Sequence, residues 1–360
     1  MKQQPSLLAR EQGMTLVELL VALAIGLVLL GGVYQVFVSS TTVYRKNEQF
    51  ARLQENARFA MEILGRNLRT AGYTGCSNQA GTIVNTLNDT SFMFDFNVGL
   101  QGFDYTGPTV PSGVDALDYS PNLDAAIPLT DLVEGSDIIT IRSVATGNPI
   151  LLETAMPDSS ADLKVTDGTS TALIDTNDIV MISDCRNTAV FQVTNYTQAN
   201  GNVVHNAGGT PTPGDPDYPG NLTKNLGQAF PPGSEIVKLS TTSYLIRNNP
   251  AGVPALYRAQ YGQTEELVEG IERMQLRYGV DTTSDRQVDS YVSAAGVADW
   301  NRVIAVRVGL LVQGPIDGKA AVDTNTYDLD ADGAAEYDPP DERRMRRVFK
   351  STFVLRNRAN

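Results

Sequence analysis

The chain of 360 residues is poor in the side chains that most enzymes depend on: it has one histidine, two cysteines and one tryptophan. A lone His205 in a glycine-rich stretch leaves Ser-His-Asp or Cys-His catalysis little to work with, and it reads as a solvated loop residue. Cys76 and Cys185 are too few for a cysteine-only zinc site and enough for one disulfide, provided the compartment is oxidising. Basic charge is also short, with 28 Lys and Arg against 41 Asp and Glu and a net charge of −13. That balance argues against a nucleic-acid-binding surface. No proline occurs between Pro5 and Pro108, so nothing there need interrupt a helix.

What the sequence does have is a long apolar run. From Leu19 to Val38 no residue is charged. Twenty helical residues rise about 30 Å, the thickness of a hydrocarbon core, so this is one membrane span. Lys2 and Arg10 precede it, which keeps the N-terminus cytoplasmic and sends the rest outward. A secretory signal has a shorter apolar core and a small-residue cleavage site after it. Here the small residue, Gly13, stands before the run, directly ahead of Met14-Thr15-Leu16-Val17-Glu18. Glu18 is the anomaly, because an acid deep in a bilayer costs about 2.5–3.5 kcal/mol on insertion scales.

This arrangement resembles the type IV prepilin signal: a basic leader, Gly13 at the cut, Met14 as first mature residue, a glutamate at the fifth mature position and a long apolar helix. The resemblance implies cleavage after Gly13 by prepilin peptidase, N-methylation of Met14, and pairing of Glu18 with the terminal amine of a neighbouring subunit. A desolvated amine and carboxylate satisfy one another where either alone is costly. The alternative for Glu18 is snorkelling to the nearby interface.

Apolar residues continue at steps of three and four through Phe50, Leu53, Ala57, Ala60, Leu64 and Leu68, with charges between them. The pattern predicts one helix from about Met14 to Ala71, stopped at Gly72, with Gly31-Gly32 its weakest point. The stretches "ARLQENARFAMEILGRNLRTAGYTGC" (51–76), "ELVEGIERMQLRYGVD" (266–281) and "RRMRRVFKSTFVLRNR" (343–358) resemble PilW-type minor pilins. The organisation expected is leader 1–13, membrane half-helix 14–38, amphipathic half-helix 39–71 and a β-rich head 72–360. Strands are predicted at 137–144, 178–184, 188–194, 235–247, 302–313 and 346–356, from β-branched runs bounded by turn residues. Residues 206–233, rich in glycine and proline, read as loop with too few apolar residues for core. The fold class is therefore α+β and pilin-like, a long helix packed on an antiparallel sheet with long loops.

Cys76 falls just past the helix and Cys185 just past a strand, so a bond between them would staple the two. By chain entropy a loop of roughly a hundred residues is worth about 4.7 kcal/mol. "DLDADGAAEYD" (328–338) sets Asp328, Asp330, Asp332 and Glu336 at positions one, three, five and nine of an EF-hand-like calcium loop. Position twelve is Pro339, and an acidic hairpin turning at Asp332-Gly333 is the preferred reading over calcium. "RRMRR" (343–347) reads as the solvated start of a strand facing acidic loops.

Together these expectations describe no enzyme but a single-pass protein of the bacterial inner membrane with a periplasmic head, placed at a pilus tip after assembly. Its implied partners are prepilin peptidase, other minor pilins, the major pilin and a tip adhesin, and its role is to prime type IV pilus assembly. Two alternatives remain: a minor pseudopilin of a type II secretion system, and a membrane-tethered periplasmic hydrolase.

Overall fold

The structure is a computed structural model that describes residues 14–73, 83–107, 114–145, 149–166, 174–209, 218–261, 263–318, 320–331, 333–335 and 337–355. Helix α1 runs Leu16–Thr70 without a break, through Gly31 and Gly32. The strands follow in chain order: β1 Ile83–Asn85, β2 Leu100–Tyr105, β3 Tyr119–Ser120, β4 Ile138–Val144, β5 Ile150–Leu151, β6 Leu163–Lys164, β7 Ile179–Ser183, β8 Thr188–Gln192 and β9 Asn195–Thr197. After these come β10 Asn202–Val204, β11 Glu235–Asn248, β12 Pro254–Gln260, β13 Gln263–Glu269, β14 Ile271–Val280, β15 Ser290–Val292, β16 Val303–Gln313 and β17 Arg346–Val354. The chain divides into two compact units, Met1–Arg52 and Leu53–Asn360. The first is helix alone among its described residues.

In the second unit the end of α1 lies on a four-stranded antiparallel sheet, β15-β14-β16-β17. Leu53, Ala57, Ala60, Leu64 and Leu68, the predicted apolar stripe from residue 53 onward, are buried against Met274, Leu276, Tyr278, Val306, Val308, Leu310 and Phe353. The approach is close: a Cβ on Gly65 would meet the Phe353 ring at 2.3 Å. Glycine inside a helix costs about 0.5–1 kcal/mol relative to alanine, and here it lets an aromatic ring reach the helix backbone. Gly72 ends α1 in the left-handed region at φ 66°, and its N–H donates to the Arg142 carbonyl of β4 at 2.9 Å.

A ten-stranded sheet follows the order β1-β8-β7-β11-β4-β2-β3, with the β12–β13 hairpin and β5 also joined to β11. The helix-backed sheet is the antiparallel one expected, and this second sheet is mixed, since β1 pairs β8 in parallel. A three-stranded sheet, β6-β10-β9, closes over a separate core that includes Leu163, Phe191, Val203 and Ile236. The long loop contributes to this core, contrary to expectation: Leu226 and Phe230 are both 1% exposed. Asn221 accounts for that docking by accepting from the Gln192 N–H and donating to the Gln192 carbonyl, at 2.7 and 2.8 Å. Two apolar side chains suffice once a buried amide fixes the backbone ahead of them.

A seam of hydrogen bonds helps to join the two larger sheets. Ahead of β4, the Asp137 N–H donates to the Met274 carbonyl of β14 at 2.8 Å, and the Ser136 hydroxyl accepts from the Met274 N–H at 3.0 Å. The Asp137 carboxyl accepts from the Leu276 N–H at 2.8 Å with Oδ2 and from the Tyr105 N–H of β2 at 3.0 Å with Oδ1. Burial, with Asp104 adding to it, holds this carboxyl well above the usual carboxylate range. Either form still offers lone pairs on both oxygens. An amide nitrogen does not, so Asp137→Asn leaves one buried N–H unsatisfied. Thermal or urea unfolding of this variant is expected to show a loss of about 1–3 kcal/mol; an unchanged midpoint would mean that the seam does not need the carboxyl.

Candidate functional site: the amino-terminal turn

Gly13 lies outside the described residues. Met14 is exposed and precedes the helix, and Thr15 is its N-cap. The Glu18 N–H donates to Thr15 Oγ1 at 3.3 Å, while Glu18 Oε2 accepts from the Thr15 N–H at 3.0 Å and from the Thr15 hydroxyl at 3.0 Å. This reciprocal pair is a capping box, with Glu18 at the third helical position. Within a single chain, Glu18 thus ties down a helix start whose free N–H groups would otherwise face lipid. Its negative charge also complements the positive end of the helix dipole. The bonds fall on one oxygen of a group with about four lone-pair sites, which leaves capacity for an amine from a neighbour. Thr15 was not singled out by the sequence reading, although the spacing Thr-x-x-Glu was there to be read.

The comparisons with known families match two separate stretches of the chain. The family model for the prokaryotic N-terminal methylation motif matches residues 8–34, and that for type IV pilus-assembly protein W matches residues 243–357, from within β11 to just beyond β17. No curated protein and no solved structure matches the chain. Together the two matches support a likeness to PilW-type minor pilins. Such pilins are structural rather than catalytic proteins of type IV pilus assembly. The prepilin-type signal and the one long apolar helix among the described residues anchor this chain in the inner membrane with the head periplasmic.

The other residues singled out in the sequence are placed less uniformly. Cys185 is exposed at φ 69° in the turn between β7 and β8, and no free cysteine is found among the described residues; Cys76 lies outside them. In the acidic loop, Asp332 and Glu336 are likewise outside the described residues. Asp328 accepts from the Lys350 ammonium at 2.7 Å, which holds its carboxyl below the usual range, and from the Ala331 and Gly333 N–H groups. The buried Asp330 carboxylate is ion-paired with Arg277 of β14. Tyr327 and Tyr337 bridge antiparallel, closing the segment as a hairpin.

The basic run is not wholly solvated as expected. Arg346, 1% exposed, binds Glu272 at 2.7 Å, Asp323 at 3.2 Å and Glu342 at 3.1 Å. The excursion between β16 and β17 folds back and brings two of these acids to it. Gly309 makes room for that excursion, since a Cβ there would meet the Leu329 carbonyl oxygen at 1.8 Å. His205 is also buried rather than solvated, at 0% exposure.

Because Lys350 and Arg277 occupy the two described carboxylates among the four candidate ligands, millimolar calcium is expected to leave the thermal midpoint of the detergent-solubilised protein unchanged. Asp330→Ala should lower the midpoint equally with and without calcium, by about 1–3 kcal/mol given the partly exposed Arg277. A midpoint that rises with calcium in the wild type and not in Asp330→Ala would establish a cation site instead.

Proposed function

We propose that the chain is cut after Gly13 by prepilin peptidase, methylated at Met14, and assembled with other minor pilins into the tip complex that primes the type IV pilus. The observation that carries this reading is the Glu18 carboxylate, held at the head of an unbroken apolar helix where it faces whatever lies beside the first turn. The pairing partner is the cationic amine of a neighbouring subunit. That pairing sets the axial step between subunits, and the bulky head favours a tip position over the shaft. The proposal includes a Cys76–Cys185 disulfide fastening the end of the helix to the β7–β8 turn, and contact with the major pilin and a tip adhesin through the assembled complex. It assigns the chain no reaction.

Two tests address separate steps. Gly13→Val should leave the protein at full length in the membrane and cells without pili, as read by gel mobility and electron microscopy; mature-length protein with normal piliation would refute the processing step. Glu18→Gln can retain the capping box, because glutamine serves at the third helical position, while removing the charge. It is expected to be cleaved at normal abundance yet to co-purify poorly with the other minor pilins, as Glu18→Ala should. Normal co-purification of Glu18→Gln with loss only in Glu18→Ala would show that the residue acts as a helix cap alone.

A further inference from the structure

His205 follows β10 and is wholly buried. Its Nε2 lies 2.9 Å from the Ala161 carbonyl, and its ring leans at 50° on Phe191 of β8 with centroids 5.1 Å apart. One side chain thus joins the segment entering β6, strand β8 and the end of β10. A carbonyl only accepts, so Nε2 carries the proton and Nδ1 is the bare nitrogen of a neutral ring. Nδ1 is buried with no hydrogen-bond partner. A second proton would go there, creating a cation beside an apolar core whose new donor has at most the residue's own backbone to meet, which is a costly state.

The charged groups that face the ring are Lys224 and Asp162, themselves an ion pair at 2.8 Å. Lys224 opposes a second positive charge and Asp162 favours it. Strands β8 and β10 contain no ionisable side chain, β9 brings Tyr196 against the same core, and β6 brings Lys164, opposite Asn202. Burial is the largest influence and holds His205 below its ordinary value. The stabilisation that the neutral ring gives is therefore complete above about pH 6.5 and is lost as pH falls toward the lowered value. His205 is the chain's one histidine, and so its one side chain with an ordinary pKa between about 5 and 8.

We propose that His205 is an acid-sensitive latch: protonation of Nδ1 loosens the β6-β10-β9 sheet from the core beneath it, while the helix-backed sheet stays closed. Loosening would uncover Leu226 and Phe230, which the long loop contributes to the same core. The device is independent of the assembly role proposed above.

Hydrogen–deuterium exchange of the full-length protein in detergent, corrected for intrinsic rates, tests it at pH 7.5 and pH 5.0. Protection in residues 149–166 and 188–206 is expected to fall about tenfold or more at the lower pH, with β14 and β16 unchanged. In His205→Gln, whose side-chain amide can still donate to Ala161, the pH effect should vanish. Equal protection at both pH values in the wild type, or an equal fall in both proteins, would overturn the latch. Should the variant not fold, selective ¹³C labelling of the single histidine gives a second reading. A titration midpoint below about 6.5 that moves together with signals of the lobe supports the proposal, and one at or above that value refutes it.

Discussion

The head depends on a strand of one sheet, β14, whose free edge is satisfied by the turn leading into the other. β14 pairs along its length with β16, and near its end with β15. Its remaining edge groups at Met274 and Leu276 would be buried and unpaired without the Ser136-Asp137 turn, which supplies a main-chain donor, a hydroxyl and a carboxyl in successive positions. A buried N–H or carbonyl left without a partner costs as much as a lost hydrogen bond or more. The seam is therefore a requirement of β14's burial rather than an ornament on it, and it fixes how the ten-stranded sheet continues from the helix-backed one. The Gln275 side chain reinforces the same point by donating to the Gly135 carbonyl at 2.8 Å.

Charge follows a similar logic. An acidic chain would be expected to leave its few basic residues prominent, yet the closing segment and the outer face of β14 and β16 turn theirs toward the excursion between β16 and β17. Arg343 donates to the Ala320 carbonyl, Arg346 gathers three carboxylates, Lys350 holds Asp328, and Arg307 donates to the Asp330 carbonyl. A buried arginine with several partners contributes less net stability than its contacts suggest, because desolvation offsets much of the attraction. What it contributes is selectivity: an excursion lacking those acids could not lie there without leaving Arg346 uncompensated. The acidic loop that looks like a cation site is in this way bound to cations of the chain itself.

At the other end, the helix start combines two demands that the bilayer normally keeps apart. Lipid penalises both free N–H groups and a free carboxylate, and the Thr15–Glu18 box lets each satisfy the other. Hence Glu18 has a reason to exist in the single chain, apart from the pairing proposed for it in an assembly. An assembly partner would add to an interaction already in place.

The sequence by itself determined what depends on local pattern. The apolar run and the steps of three and four gave α1 to within two residues at its start and one at its end. Alternation and β-branching gave β4, β7, β8, β11, β16 and β17, and Gly72 marked the helix stop. Strands β12, β13 and β14 escaped that reading because Arg258, Glu265, Glu266, Arg273 and Arg277 give them the composition of helix or surface, and only their neighbours make them sheet. The burial of His205, Arg346, Leu226 and Phe230 was likewise invisible. Each lies in or beside a glycine-, proline- or charge-rich segment, and apart from Glu342 beside Arg346, what buries it comes from residues far away in the chain. Tertiary structure alone decided those positions, because the energy of a buried polar group is set by partners that no local window of sequence contains.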